Sequence, residues 1–180
     1  MNLNVKTIVA IGIGAALFFV LGRFAVVPVF ANTNLSFQYA VLAFFAVLFG
    51  PIAGVLIGLI GHILIDMSWG WGIWWSWIIV SGVVGCGFGF VVRYAKIEQN
   101  DFTIPLIIRF VIGTIIVNLI GWGLIAPGLD ILIYQQPVNH VFTQGLFAFV
   151  GNAVTTAVVG TLLLFAYNKA QPKAESLYKE

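Results

Sequence analysis

From Thr7 to Val27 the chain carries one ionisable residue, Arg23, in an otherwise apolar run. Comparable runs recur at Phe37–Phe49, Ile52–Met67, Trp74–Tyr94, Thr103–Ala126 and Asn139–Tyr167. A helix crosses the hydrocarbon core with roughly 20 apolar residues, about 17–25 in practice. Within that core every backbone N–H and C=O must be paired internally, which restricts spanning segments to helices and closed barrels. These runs therefore predict an all-α membrane protein, a bundle of six transmembrane helices forming one domain over residues 1–180. Phe37–Phe49 is short for a crossing, so it is either tilted or preceded by buried loop. Composition agrees: 61% of residues are hydrophobic and 8% charged, where soluble domains have about 45–50% and about 25%. The first run is longer than the apolar core of a signal peptide, about 7–15 residues, and is read as a retained helix.

The breaks between runs are set by proline, glycine and polar residues. Pro28 ends the first span and a polar loop follows through Asn34. Gly50-Pro51 separates spans 2 and 3. Pro105 lies in the first turn of span 5, where its missing N–H costs nothing. Pro127-Gly128-Leu129-Asp130 stops that span, leaving Ile131–Tyr134 as a short re-entrant or interfacial piece. The tail 168–180 is polar. Lys6, Arg93, Lys96, Lys169, Lys173 and Lys179 fall on one side of this arrangement, while the loops 28–36, 68–73 and 127–138 contain no Lys or Arg. Basic loops stay on the cytoplasmic side, so both termini are expected inside. A net charge of +2 without a basic run gives no reason to expect nucleic acid. The single Cys86 cannot form an intrachain disulfide and is read as a small apolar residue.

Most tryptophans cluster. Trp69, Trp71, Trp74, Trp75 and Trp77 are five of the six in the chain, and they follow Asp66 at the outer end of span 3. Two readings stand. Indoles settle at headgroup level as an interfacial belt. They also rim sites for flat heterocycles, where rings stack and a few polar groups orient the ligand. Because successive helical residues are rotated by about 100°, Trp74, Trp75 and Trp77 cannot all face one pocket. One or two are expected to stack on ligand while the others anchor at the headgroups.

Ionisable groups in a membrane helix are costly and tend to be interior and functional. His62 and Asp66 are four apart and share a face of span 3. They read either as a working pair or as an interfacial carboxylate beside a satisfied histidine. Arg23 could snorkel or pair with Asp66 or Asp130. Asn118 and Trp122 share a face of span 5, and His140, Gln144 and Asn152 share one of span 6. Each taken alone reads as an interhelical hydrogen bond. Together with Asn32 and Asn34 they all fall on the outer side, which supports a pocket opening outward. Amides both donate and accept, which suits a neutral heterocycle better than an ion. Candidate substrate-binding residues are accordingly Asn34, His62, Asp66, Trp74, Trp75, Asn118, Trp122, His140 and Gln144. No P-loop, HExxH, CxxC or GxSxG motif occurs, and with one Cys and two His neither a metal site nor a cofactor is expected. A structural membrane protein, and a small intramembrane enzyme using His62/Asp66 or His140, are the rival classes.

Small residues mark helix contacts, since in lipid close backbone approach carries association. Gly50, Gly54 and Gly58, and Gly85 with Gly89, read as packing within the bundle. Span 1 has Ala10/Gly14 and Gly12/Ala16 on adjacent faces, as though one serves the bundle and the other a partner.

The segment Ile8-Val9-Ala10-Ile11-Gly12-Ile13-Gly14-Ala15-Ala16-Leu17, with the segments Asn34–Ala43 and Phe49–His62, resembles the S component, the substrate-binding membrane subunit, of energy-coupling factor (ECF) vitamin transporters. Phe49-Gly50-Pro51 resembles the turn into helix 3 of the riboflavin-type branch. The resemblance implies a non-catalytic subunit of a bacterial plasma membrane. It captures a vitamin from outside under a closing loop, here Val29–Ser36, and then joins a membrane coupling subunit and two cytosolic ATPases. It also implies that the subunit topples in the membrane, with Ala10, Gly12, Gly14 and Ala16 as the sliding contact. Within the branch, hydroxymethylpyrimidine or pyridoxine is favoured, ahead of riboflavin, thiamine or another vitamin.

Overall fold

The computed structural model describes residues 4–70, 72–92, 97 and 102–171. Its helices are α1 Val5–Phe24, α2 Gln38–Phe49, α3 Pro51–Trp69, α4 Trp75–Val91, α5 Ile104–Tyr134 and α6 Val138–Ala170. A hairpin of β1 Val26–Phe30 and β2 Thr33–Ser36 lies between α1 and α2. Of the helices, α1, α3, α5 and α6 are long and apolar enough to cross a membrane, with α2 and α4 shorter. The six-helix expectation is met. Trp71, Arg93, Lys96, Lys173 and Lys179 lie outside the described residues.

Local chemistry sets the ends of the helices. Asn4 caps α1, its side-chain oxygen accepting from the Thr7 amide at 2.8 Å, which satisfies an otherwise orphan donor. Gly50, at φ 91°, closes α2 and opens α3, and Pro51 follows at the first helical position. Gly70, at φ 79°, ends α3 in the left-handed region, where a side chain would be strained.

Three boundaries differ from the sequence reading. Helix α1 ends at Phe24, and Val26–Phe30 is a strand. Its β-branched residues favour extended backbone, and Pro28 holds Val27 out of the helical region. A register shift between Pro28 and Phe30 takes up a proline that cannot donate to the ladder. The loop expected there is thus a hairpin. Pro127 does not stop span 5. A π-helical stretch, Leu119–Ile125, precedes it, and the Ala126 amide bonds the Gly121 carbonyl, so the wider turn absorbs the missing donor. Ile131–Tyr134 is therefore the end of α5, closed by Gln135 at φ 52° with its amide returning to the Ile131 oxygen. Asn168 is not tail. It is buried, accepts from the Phe102 amide at 3.1 Å and donates to the Ile97 carbonyl at 2.8 Å.

Packing is closest between α3 and α4. A Cβ on Gly54 or Gly85 would strike the backbone of the other, one on Gly58 would strike Ser81, and one on Gly89 would strike Pro51. The glycines spaced by four thus bring two backbones into contact, as small residues do in membrane bundles. Phe18, Leu42, Ile57, Val80, Val84, Phe88 and Phe110 fill the interior. The outward faces of α1, α5 and α6 present Ile, Leu and Val, the surface a helix shows to lipid. In α1, Ala10 and Gly14 are buried, whereas Gly12 and Ala16 are exposed. A side chain at Gly14 would meet Ile57 and Phe45; one at Gly12 would meet nothing within 4 Å.

Candidate functional site

The outer ends of α3, α5 and α6, the start of α4 and the tip of the hairpin surround a cavity of about 320 Å³, lined by Asn32, His62, Asp66, Trp74, Trp77, Asp130, Gln136, His140, Val141 and Gln144. A smaller chamber of about 90 Å³ lies beside it, between the hairpin and α1, α2 and α6. It shares Asn32, His62, Asp66 and Trp77 with the first and adds Asn34, Gln38, Tyr39, Trp69 and Asn152. Among the described residues, no Lys or Arg lines either chamber.

The hairpin roofs this space. Phe30 stacks on Phe147 with centroids 5.2 Å apart and lies tilted over His140 at 5.7 Å. Gln144 donates to the Asn32 carbonyl at 3.5 Å. Beneath the roof, polar side chains from α3, α5 and α6 line the same volume.

Two aspartates divide the polar work. Asp130 accepts from Trp74 Nε1 at 2.7 Å, from Trp77 Nε1 at 2.8 Å and from the Ser76 hydroxyl. It sets the planes of two indoles across α4 and α5. Trp74 also stacks on Tyr134 at 4.1 Å, and the Tyr134 hydroxyl accepts from the Trp75 amide. Asp66 accepts from the Trp74 amide at 2.8 Å. Its other oxygen faces His62 Nε2 at 3.6 Å, and His62 Nδ1 lies 2.5 Å from Ser81 Oγ, which in turn lies 2.9 Å from the Tyr39 hydroxyl. At 3.6 Å the His62–Asp66 separation is longer than a hydrogen bond, so the donor and acceptor roles along Tyr39, Ser81 and His62 follow the tautomer that His62 adopts. The three side chains form one hydrogen-bonded chain from the bundle core toward the cavity.

Of the residues singled out in the sequence, His62, Asp66, Trp74, His140 and Gln144 line the main cavity, and Asn34 lines the inner chamber. Trp75, Asn118 and Trp122 line neither. Trp75 is half exposed on the outside of α4, one residue's rotation from Trp74. Trp122 is fully buried beneath Trp77 and against Tyr39, with centroids 5.2 and 5.0 Å away. Asn118 is also fully buried and donates to the Thr114 carbonyl at 2.8 Å. Both lie on α5 as wall rather than lining. Arg23 does not reach the carboxylates as an ion pair would; it sits 4.0 Å over the Trp69 ring, a cation–π contact. Asp130, Trp77, Gln136 and Tyr39 complete the site without having been selected from the sequence. Asp130 was concealed by the apparent break at Pro127, and Trp77 by its indistinguishable neighbours.

The arrangement offers stacking surfaces, amides, imidazoles and carboxylates. No group of three or more His, Cys, Asp and Glu able to hold a metal occurs among the described residues. The fold is that of a polytopic membrane protein with a cavity, lined by aromatic and polar side chains, at one end of the bundle. Residues 2–169 match the model of the family described as ECF-type riboflavin transporter, S component, and the chain belongs to that family. It is the substrate-binding, non-catalytic membrane subunit of a bacterial ECF transporter. The UPF0397 protein of Enterococcus faecalis (strain ATCC 700802 / V583) is 51% identical, over 99% of this chain and 98% of that one. A UPF0397 protein of Staphylococcus aureus (strain MSSA476) is 48% identical with the same coverage. Among solved structures, the chain reported under "Structure and mechanism of the S component of a bacterial ECF transporter" superposes with a TM-score of 0.60 at 20% identity, covering 97% of this chain and 98% of that one. That likeness concerns the fold.

Proposed function

We propose that this subunit captures a small, flat nitrogen heterocycle of the hydroxymethylpyrimidine or pyridoxine kind from the outer side of the membrane. The observation that carries this is the cavity itself. At about 320 Å³ it sits at the low end of the range of about 300–1,000 Å³ usual for ligand sites, which favours one ring over a fused tricycle with a polyol chain. Trp74 and Trp77 supply stacking faces. Asn32, Gln136, Gln144, His62, His140 and Asp66 supply donors and acceptors around the rim.

Delivery follows by association with a membrane coupling subunit and two cytosolic ATPases, since this chain has no phosphate-binding loop of its own. The exposed Gly12/Ala16 face of α1 is where a partner helix would approach closely. The hairpin closes over the bound ligand. Tryptophan fluorescence of the purified subunit, titrated with hydroxymethylpyrimidine, pyridoxine, thiamine and riboflavin, tests the substrate. Quenching is expected at submicromolar concentration for one of the first two. Quenching by riboflavin or thiamine alone would overturn the choice of ligand.

A further inference from the structure

We infer that Asp66, and not Asp130, is the ligand's polar anchor, and that it selects an unphosphorylated ring presenting N–H or O–H donors. The inference deepens the proposed function and rests on its reading of the cavity as a heterocycle site.

The two carboxylates both line the cavity and are nearly withdrawn from solvent, with 6% of Asp66 and 2% of Asp130 exposed. An ionised carboxylate offers about four lone-pair sites. Asp130 fills three, with two indoles and a hydroxyl. Its charge is committed to protein donors. Asp66 receives one hydrogen bond, from the Trp74 amide to Oδ2. His62 Nε2 stands 3.6 Å from Oδ1, longer than a hydrogen bond. A buried carboxylate held by so few donors is costly unless another partner arrives. Asp66 and Trp77 line both chambers. A donor on the edge of a stacked ring would fill the open acceptor sites of Asp66.

The lining also excludes. Asp66 lines both chambers and Asp130 the main one, and among the described residues no Lys or Arg lines either. A phosphate ester carries about −1.5 to −2 charges at neutral pH and would meet like charge with no guanidinium or ammonium among the described lining residues. Ring nitrogen, exocyclic amine and hydroxymethyl groups are therefore accepted, and the phosphorylated forms of the same rings are rejected.

Calorimetric binding to the purified full-length subunit in nanodiscs tests this with 4-amino-5-hydroxymethyl-2-methylpyrimidine, its 4-oxo analogue, its monophosphate, pyridoxine and pyridoxine phosphate. Wild type is expected to bind the amino compound or pyridoxine, and its phosphate ester at least 100-fold more weakly. Asp66→Asn should weaken the bound probe about 10- to 150-fold, the range for a hydrogen bond to a charged group. It should also narrow the discrimination between amino and oxo rings, which a general loss of shape would not. Asp130→Asn should weaken both rings alike.

Equal binding of ester and alcohol by wild type overturns the inference without any variant, as does undiminished affinity in Asp66→Asn. If the fluorescence titration shows that wild type binds only riboflavin or thiamine, the choice of ring falls. Asp66→Asn is then measured with that compound, and unchanged affinity removes the anchor as well. Binding of no probe overturns both.

Discussion

Ser81 lines neither chamber, yet Tyr39 and His62 both hydrogen-bond to its hydroxyl. It is the hinge of the chain that orients His62 toward Asp66. Ser81→Ala leaves a buried imidazole nitrogen unpaired and takes one partner from a buried phenol, at about 1–3 kcal/mol. Thermal unfolding in detergent is expected to show a lower Tm, and binding should weaken with it because His62 is free to turn. Ser81→Thr keeps the hydroxyl and tests whether the bond or the space is decisive. Restored binding in the threonine variant identifies the bond. Asp66 and Asp130 show the same principle at one further remove: identical side chains in one cavity differ in role because one is saturated by protein donors and the other is not.

At the scale of elements, the α3–α4 contact and the hairpin behave differently. Gly54 and Gly85 bring two backbones together, so there is no flexible side chain to yield. Gly54→Leu should fail to give a monodisperse subunit in size-exclusion chromatography, since overpacking of even a few methylenes costs about 1–3 kcal/mol and here the obstacle is backbone. The hairpin is held by rings. Phe30→Ala removes the stack on Phe147 and the contact with His140. Aromatic pairs are worth about 0.5–1.5 kcal/mol beyond burial. In stopped-flow fluorescence the ligand is expected to leave about 2- to 10-fold faster, with association little changed. An unaltered dissociation rate would show that the hairpin does not hold the ligand in. The π-helical turn before Pro127 is the third such element. It lets α5 continue to Asp130, and without that continuation the two indoles would have no common acceptor.

At the scale of the molecule, α1 presents small residues on two adjacent faces. Ala10 and Gly14 pack inward while Gly12 and Ala16 face out. Gly12→Trp should therefore fold and bind as wild type when purified, yet abolish vitamin uptake in cells expressing the whole transporter. Loss of binding to the same degree would place that face in the bundle.

The number of helices, the Lys/Arg-free outer end, the two small-residue faces of α1 and the candidacy of His62, Asp66, Trp74, His140 and Gln144 were all readable along the chain. Each is a matter of hydropathy, charge or helical spacing, and those are local properties. Which tryptophan faces the cavity was not local. Trp74 and Trp75 differ by one residue's rotation, and Asp130, distant in sequence, decides it by drawing in the Trp74 and Trp77 indoles. Nor could spacing show that Trp122 and Asn118 are wall, because that depends on how α5 is turned against its neighbours. The strand pairing of Val26–Phe30 with Thr33–Ser36, the passage of α5 through Pro127 and the burial of Asn168 all depend on partners far along the chain. Sequence determined the membrane bundle and the chemistry available at its outer end. Only tertiary packing decided which of two equivalent carboxylates was left with acceptors to offer.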